Sequence, residues 1–154
     1  MSSIKWDIEK QCNLNCKHCI VNNIKYKNNL TLSMKMCIVD KLKNLGFNHI
    51  VFSSKEPLIN ENFLDLVEYC SFNNIYSSII TNGTLVDEKC LSRLKELKIK
   101  DFAISLEGWE KFDNDFIRGE GVFRKITKLL NELNDCQSFT TVIQINITKI
   151  SFKK

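Results

Sequence analysis

Proline and glycine are scarce in this sequence, with one proline and five glycines among 154 residues. Each of them therefore marks a special backbone position, and no repeat or low-complexity tract is present. No apolar run approaches the roughly 20 residues that span a bilayer. The first residues, MSSIKWDIEK, also lack the apolar core of a signal peptide. These absences predict a cytoplasmic protein with no membrane partner.

A strong charge of either sign is also missing, since the net charge is only +4 and the lysines are scattered. This distribution indicates a solvated surface and no nucleic-acid partner. Hydrophobic residues make up 44% and charged residues 26%, which is typical of a globular domain. Seven cysteines, an odd number, argue against a disulfide framework and favour roles in metal binding or in the core.

Three of the cysteines form one short polar stretch, CNLNCKHC, in which Cys12, Cys16 and Cys19 have the spacing C-x3-C-x2-C. Its composition favours a loop. Thiolates are the usual ligands of iron–sulfur clusters, which normally take four of them, so three would leave one iron open for another ligand. The alternatives are a zinc site that includes His18, or three structural cysteines. Zinc is disfavoured because His18 is adjacent to Cys19, and a core role is disfavoured by the polarity of the segment.

Alternating and helical hydrophobic patterns predict five strands and four helices. The predicted strands are Ile4–Ile8, His49–Ser53, Tyr76–Ile80, Phe102–Leu106 and Thr141–Ile147. Ser33 is the predicted cap of the first helix, whose inward residues are Met34, Ile38, Leu42 and Leu45, and Asn60 is the predicted cap of the second, whose inward residues are Phe63, Leu66, Val67 and Cys70. The third predicted helix runs from about Glu88 to Leu97. The fourth begins after Gly121, with Phe123, Ile126, Leu130 and Leu133 inward. Cys37, Cys70 and Cys90 are predicted to pack in helices, whereas Cys136 has no predicted role.

Strands that alternate with helices predict an α/β fold with a parallel sheet of about five βα units. The unusual segments follow the strands: the cysteine loop, then SSKEP, TNGT and SLEGW. Because the carboxyl ends of parallel strands meet at one edge, we expect these four loops to form one site. Turn residues alone would explain each loop, but not why the cysteines and the one proline share that edge.

The cysteine spacing and the four loops resemble the radical S-adenosylmethionine (radical SAM) superfamily, and the resemblance runs from Ile4 to about Ile150. It implies that Cys12, Cys16 and Cys19 hold an oxygen-sensitive [4Fe-4S] cluster whose open iron binds S-adenosylmethionine. An electron from such a cluster cleaves the cofactor, and a 5′-deoxyadenosyl radical then abstracts hydrogen from a substrate. No residue of the protein is therefore predicted to be catalytic.

The same resemblance assigns cofactor-binding residues. Ser54-Lys55-Glu56-Pro57 stands where the family has Gly-Gly-Glu-Pro, so Glu56 would bind the amino group of S-adenosylmethionine. Both glycines, which permit positive φ and a close backbone approach, are replaced. Asn82 matches a position near the cofactor, and Ser105 and Arg118 would bind its ribose or carboxylate. Glu107 stands where the family usually has Asp, and Phe112 where it has His.

The stretch from Ile104 to Gly119 resembles the subgroup that modifies peptides and proteins and carries a C-terminal domain of the SPASM type. Residues 1–154 are then expected to form a single core domain, a partial (β/α)6 barrel that is incomplete at its C-terminus. The implied partners are a peptide or protein substrate and an electron donor such as ferredoxin or flavodoxin. We also expect the open edge of the fifth strand to favour self-association or a partner chain.

Two alternatives to a radical SAM enzyme remain open at this stage. The loss of both glycines before Glu56 is compatible with a degenerate module that binds a cluster or S-adenosylmethionine without turnover. A structural zinc protein is the other alternative.

Overall fold

Five parallel strands form one sheet in the order β1-β2-β3-β4-β5, so each strand pairs with the next along the chain. The structure is a computed structural model that describes residues 2–21 and 30–147. The strands are β1 Ser3–Asp7, β2 His49–Ser53, β3 Tyr76–Thr81, β4 Ile99–Ser105 and β5 Thr140–Gln144. The helices are α1 Leu32–Asn44, α2 Phe63–Phe72, α3 Glu88–Glu96, α4 Lys111–Arg118 and α5 Val122–Leu133. The predicted α/β class with a parallel sheet is confirmed.

The hydrophobic core lies between the helices and one face of the sheet. On that face Phe52, Ile79 and Phe102 follow one another across β2, β3 and β4, and all three are fully buried. Leu66 of α2 and Ile126 of α5 are buried in the same cluster. The helices thus cover the apolar face and leave the carboxyl ends of the strands free to carry polar loops. Among the described residues, no helix combines the length and apolar character needed to cross a bilayer.

The first helix begins earlier than predicted. Its N-cap is Thr31, whose extended backbone lets the side-chain hydroxyl accept a hydrogen bond from the Met34 amide at 3.3 Å, so Ser33 lies inside the helix. The predicted inward stripe is partly wrong, because Met34 and Leu45 are exposed whereas Val39 is fully buried. Cys37 is also exposed rather than packed.

The second and last helices differ from their predictions in detail. A short 3-10 helix, Pro57–Ile59, precedes α2. The N-cap of α2 is Asn62, where Asn60 was predicted. The predicted inward set of α2 is buried in full. In α5 the buried residues include Val122 and Leu129 where Phe123 and Leu130 were predicted, a shift of one residue in each case.

Helix α4 was not predicted at all. Its buried residues are mostly polar or charged, namely Asp113, Asn114 and Arg118, while Phe112 and Phe116 are exposed. A search for an apolar stripe cannot find a helix that buries its polar side chains, because the hydrophobic pattern is inverted. This helix carries Arg118, one of the predicted site residues, on its buried polar face.

The remaining cysteines divide between the core and its margin. Cys70 is fully buried, as predicted, and burial raises the pKa of its thiol to about 12. Cys90 and Cys136 are partly buried and pack against the core. Burial also raises the pKa of Cys90, to about 11. Thiols with such high pKa values carry little thiolate at neutral pH, which suits packing rather than chemistry.

The fifth strand is shorter than predicted, since it ends at Gln144, and within the described residues its sole neighbour is β4. Ile143 and Ile145 are about half exposed, at 48% and 53%, and Ile147 is 78% exposed. The expected self-association through this edge is compatible with these exposures and stays a prediction.

The capping assignment can be tested by replacing Thr31 and Ser33 separately with alanine. Thr31→Ala should lower the free energy of unfolding by about 1 kcal/mol, because an N-cap hydrogen bond is lost. Ser33→Ala, inside the helix, should change it by less than about 0.5 kcal/mol. Urea denaturation of both variants measures the difference, and equal losses would contradict the assignment of Thr31.

Candidate functional site

The loops after the strands enclose one cleft of about 300 Å³, here called the rim cleft. Six of the predicted site residues line it: Cys12, Cys16, Cys19, Asn82, Ser105 and Arg118. Ser54 and Lys55 also line it, whereas Glu56 lies behind the wall. The carboxyl edge of the sheet therefore brings the cysteine loop to the segments that follow β2, β3 and β4.

The cysteine loop is held by backbone hydrogen bonds at separate points. The Glu56 amide donates to the Gln11 carbonyl at 3.0 Å, which fixes the start of the loop to the segment after β2. The Lys17 amide donates to the Ile117 carbonyl at 2.9 Å, which fixes its middle to α4. The Lys17 ammonium also lies 3.3 Å above the centre of the Phe116 ring, a cation–π contact.

Asn82, at the end of β3, connects the loop to the sheet. Its side-chain amide donates to Asn13 at 2.9 Å and lies 3.7 Å from the Cys12 sulfur. The Leu14 amide lies 3.4 Å from the same sulfur. N–H groups directed at sulfur stabilise a thiolate and are among the contacts that tune a bound cluster.

The Cys16 thiol experiences two opposing influences. Burial is the larger and raises its pKa, while the positive charge of Arg118 acts in the opposite direction and lowers it. Since a metal ligand must be the thiolate, metal binding at Cys16 displaces a proton, and the Arg118 charge favours that step.

Glu56 is fully buried, and both of its carboxylate oxygens accept hydrogen bonds. They come from the Leu58 amide at 3.0 Å, the Thr81 hydroxyl at 2.8 Å and the Asn82 amide at 2.7 Å. Burial raises the pKa of this carboxyl, and the hydrogen bonds partly oppose that effect. A carboxylate has about four acceptor sites, so these bonds leave it room for one further donor.

Ser54 and Lys55 both have positive φ, at 71° and 27°. This region favours glycine, and each non-glycine residue held there costs on the order of 1–3 kcal/mol. The backbone thus has the conformation that suits the two glycines of the Gly-Gly-Glu-Pro motif, although neither glycine is present here.

Arg118 forms a buried ion pair with Glu107, in which its Nη2 donates to Oε1 at 2.6 Å. Arg118 is 6% exposed and Glu107 is fully buried. The Arg118 Nε has no hydrogen-bond partner in the described part of the chain. Such an unpaired buried donor is costly, so the arginine has capacity for a further acceptor.

The sequence did not identify His18 and Asn146 as members of this site. His18 turns toward Glu107, with 3.5 Å between Nε2 and Oε1, and the Asn146 amide donates to Glu107 Oε2 at 3.0 Å. The position of Asn146 just after the fifth strand was the one available signal, because the other strand ends carry site residues.

The three thiols are compatible with a thiolate-bound cluster. Among the described residues, no three His, Cys, Asp or Glu groups converge on one point where they could hold one metal ion. The cysteines of a cubane each bind a different iron, so their sulfurs need not converge in this way. No described Asp or Glu lines the rim cleft, whereas Lys55 and Arg118 do, and the Arg118 charge is paired with the buried Glu107.

The strain in the loop before Glu56 can be measured with glycine variants. Ser54→Gly and Lys55→Gly should each raise the free energy of unfolding by about 1 kcal/mol, because the positive φ is relieved. Asn74→Gly is the matched control, since Asn74 has φ 60° and asparagine tolerates that region. Chemical denaturation would count against strain if all three variants changed stability equally.

Comparisons with known proteins identify both similar sequences and similar folds. The chain is 29% identical over 136 residues to Fe-coproporphyrin III synthase of Methanosarcina barkeri, covering 87% of this chain and 33% of that protein. Its fold matches Streptococcus suis SuiB bound to precursor peptide SuiA, with a TM-score of 0.79 and 20% identity over 94% of this chain and 32% of that one. It also matches anSMEcpe with bound AdoMet and Kp18Cys peptide, with a TM-score of 0.76 and 25% identity over 93% of this chain and 42% of that one.

The chain thus spans between 33% and 40% of the length of the first curated relatives that it matches. Its sequence is similar to that of a protein named as a synthase. Its fold matches that of a protein solved with AdoMet and a peptide. The family model of the radical SAM superfamily matches residues 9–150 of this chain. Since that match includes the cysteine loop and all four later strands, the chain belongs to the radical SAM superfamily.

Proposed function

We propose that this chain is the cofactor-binding core of a radical SAM enzyme that modifies a peptide or protein. Cys12, Cys16 and Cys19 would hold a [4Fe-4S] cluster, and four residues would hold S-adenosylmethionine: Glu56, Asn82, Ser105 and Arg118. When bound, the cluster and cofactor supply reductive cleavage to a 5′-deoxyadenosyl radical. The observation that carries the proposal is that three thiols and Arg118 share one cleft with no described acidic residue on its wall.

The cluster assignment rests on how the cysteine loop is supported. Cys12 has two N–H groups near its sulfur, and Cys16 has the positive charge of Arg118 nearby. Both features favour the thiolate, although burial is the larger influence on Cys16 and raises the pKa of its thiol. The loop is also anchored to α4 and to the segment after β2 by backbone hydrogen bonds of Lys17 and Gln11, the residues next to Cys16 and Cys12.

The assignment of S-adenosylmethionine rests on complementary charges around the cleft. The cofactor's methionine part carries a carboxylate and an amino group. Arg118 offers a cation with an unused donor on the cleft wall. Glu56 has one acceptor site left, but it is fully buried behind that wall and would have to become accessible to reach the amino group. Ser105 supplies a hydroxyl on the cleft wall, suited to a ribose. The chain would thus orient the cofactor from β2, β3, β4 and α4.

The substrate class is drawn from the named relatives. SuiB was solved with a precursor peptide and anSMEcpe with a peptide, which favours a peptide or protein substrate. An external electron donor such as ferredoxin or flavodoxin is implied by the family resemblance alone. A tetrapyrrole is the second candidate, favoured by the similarity to Fe-coproporphyrin III synthase. Release of 5′-deoxyadenosine in the presence of candidate peptides or of an iron porphyrin would separate the two.

A non-catalytic module remains the rival to an enzyme, because Ser54 and Lys55 strain the loop that precedes Glu56. The two differ in one measurement. With a strong reductant, an enzyme core releases 5′-deoxyadenosine from S-adenosylmethionine, whereas a module binds the cofactor and leaves it intact.

The cluster assignment predicts the iron content of cysteine variants. Anaerobically reconstituted protein should bind about four irons per chain, and Cys16→Ser should lose most of them because one iron lacks its thiolate. Cys37→Ser is the matched control, since Cys37 is exposed on α1 and away from the cleft. Iron and sulfide analysis measures both variants, and full iron loading of Cys16→Ser would contradict the cluster assignment.

The ribose assignment predicts the affinity of a serine variant. Ser105→Ala should raise the Kd for S-adenosylmethionine about fivefold, which corresponds to the loss of one hydrogen bond of about 1 kcal/mol. Ser33→Ala, on the surface of α1, should leave the Kd unchanged. Calorimetry on reconstituted protein measures both, and an unchanged Kd in Ser105→Ala would remove Ser105 from the site.

A further inference from the structure

Glu107 occupies a central position beside the rim cleft. It follows β4, is fully buried, and uses both carboxylate oxygens. Oε1 accepts from Arg118 Nη2 at 2.6 Å and from the Asn146 side chain at 3.2 Å. Oε2 accepts from the Asn146 backbone amide at 3.0 Å, and His18 Nε2 lies 3.5 Å from Oε1.

These contacts come from three segments that are distant in sequence. Arg118 is the last residue of α4, Asn146 follows β5, and His18 lies between two cysteines of the loop. The Glu107 backbone is fixed as well, because its amide donates to the Asn114 side chain of α4 at 3.0 Å. One carboxylate oxygen, Oε1, therefore contacts both His18 of the cysteine loop and Arg118 of α4.

The ion pair also determines how Arg118 is presented. Guanidinium is a rigid planar fork, so a short bond at Nη2 limits the directions in which the other nitrogens can point. Breaking such a pair leaves an uncompensated buried charge, which the structure disfavours strongly. Glu107 thus contacts both Arg118 and the cysteine loop, and it adds a side-chain contact to the backbone bonds that hold the loop.

We propose that Glu107 is a positioning residue, which contacts the cysteine loop through His18 and orients Arg118, so that the cysteine loop and the Arg118 guanidinium keep a fixed relative arrangement. The proposal rests on the function proposed above. Glu107 touches neither the cluster nor the cofactor in this role, and it acts through His18 and Arg118.

The first test uses the chain without any cluster. Iodoacetamide labelling of single cysteines, followed by mass spectrometry, reports the exposure of each thiol. In Glu107→Gln the labelling rates of Cys16 and Cys19 should rise several-fold, because the loop loses its contact through His18. Cys70, which is fully buried, reports global unfolding, and Cys37, which is exposed, reports reagent activity. Both should label at the wild-type rate.

His18→Ala is the second variant, because it cuts the same contact and leaves the charges of Glu107 and Arg118 in place. A rise at Cys16 and Cys19 in this variant reflects release of the loop and not the loss of the Glu107 charge. Unchanged rates at these cysteines in both variants, or an equal rise at Cys70, would overturn the positioning role.

The second test uses reconstituted protein and measures the Kd for S-adenosylmethionine by calorimetry. Glu107→Asp keeps the charge but withdraws the carboxylate by one methylene, and should raise the Kd about tenfold while iron loading stays near the wild-type value. The control is Arg93→Gln, which breaks only the partly exposed pairs with Asp65 and Glu68 and should leave the Kd unchanged.

The outcomes distinguish this inference from the proposed function. A wild-type chain that loads no iron and binds no S-adenosylmethionine defeats the proposed function, and this inference falls with it. A wild-type chain that does both, with Glu107→Asp within twofold of its Kd, overturns the positioning role alone.

Discussion

The cysteine loop has few apolar side chains, so its shape depends on hydrogen bonds from the ends of the strands around it. Gln11 receives the Glu56 amide, Lys17 donates to α4, and Asn13 pairs with Asn82 at the end of β3. A parallel sheet is the constraint that makes this possible, since it brings the carboxyl ends of consecutive strands to one edge. The core fixes the strands, the strands fix the polar loops, and those loops fix the positions of the three thiols.

Two buried glutamates, Glu56 and Glu107, each connect polar segments beside the rim cleft. Glu56 joins the segment after β2 to the end of β3 through Thr81 and Asn82. Glu107 joins the segment after β4 to α4 and to the segment after β5. Burying a carboxylate is costly, and each is compensated by at least three hydrogen bonds or by an ion pair. Polar groups thus take the role at this edge that apolar packing takes under the helices.

The sequence was sufficient for the parallel sheet, because period-two strands leave clear local patterns, and the resemblance to a family motif predicted six of the residues that line the cleft. It failed where tertiary contacts decide. Helix α4 buries Asn114 and Arg118 and exposes Phe112, so no apolar stripe marks it. His18 was considered only as a metal ligand, since its true neighbour, Glu107, is 89 residues away in the chain and the distance between them is visible only in the fold.

The loop before Glu56 shows why a motif can lose its glycines and keep its shape. Ser53 is fixed in β2 and Glu56 is fixed by Gln11, Thr81 and Asn82, so the two residues between them must bridge a set distance and direction. Ser54 and Lys55 do so with positive φ, at a cost on the order of 1–3 kcal/mol each. The anchors at both ends outweigh that local cost. The conformation of this loop is therefore imposed by the surrounding structure, and local residue preferences alone would have predicted a different one.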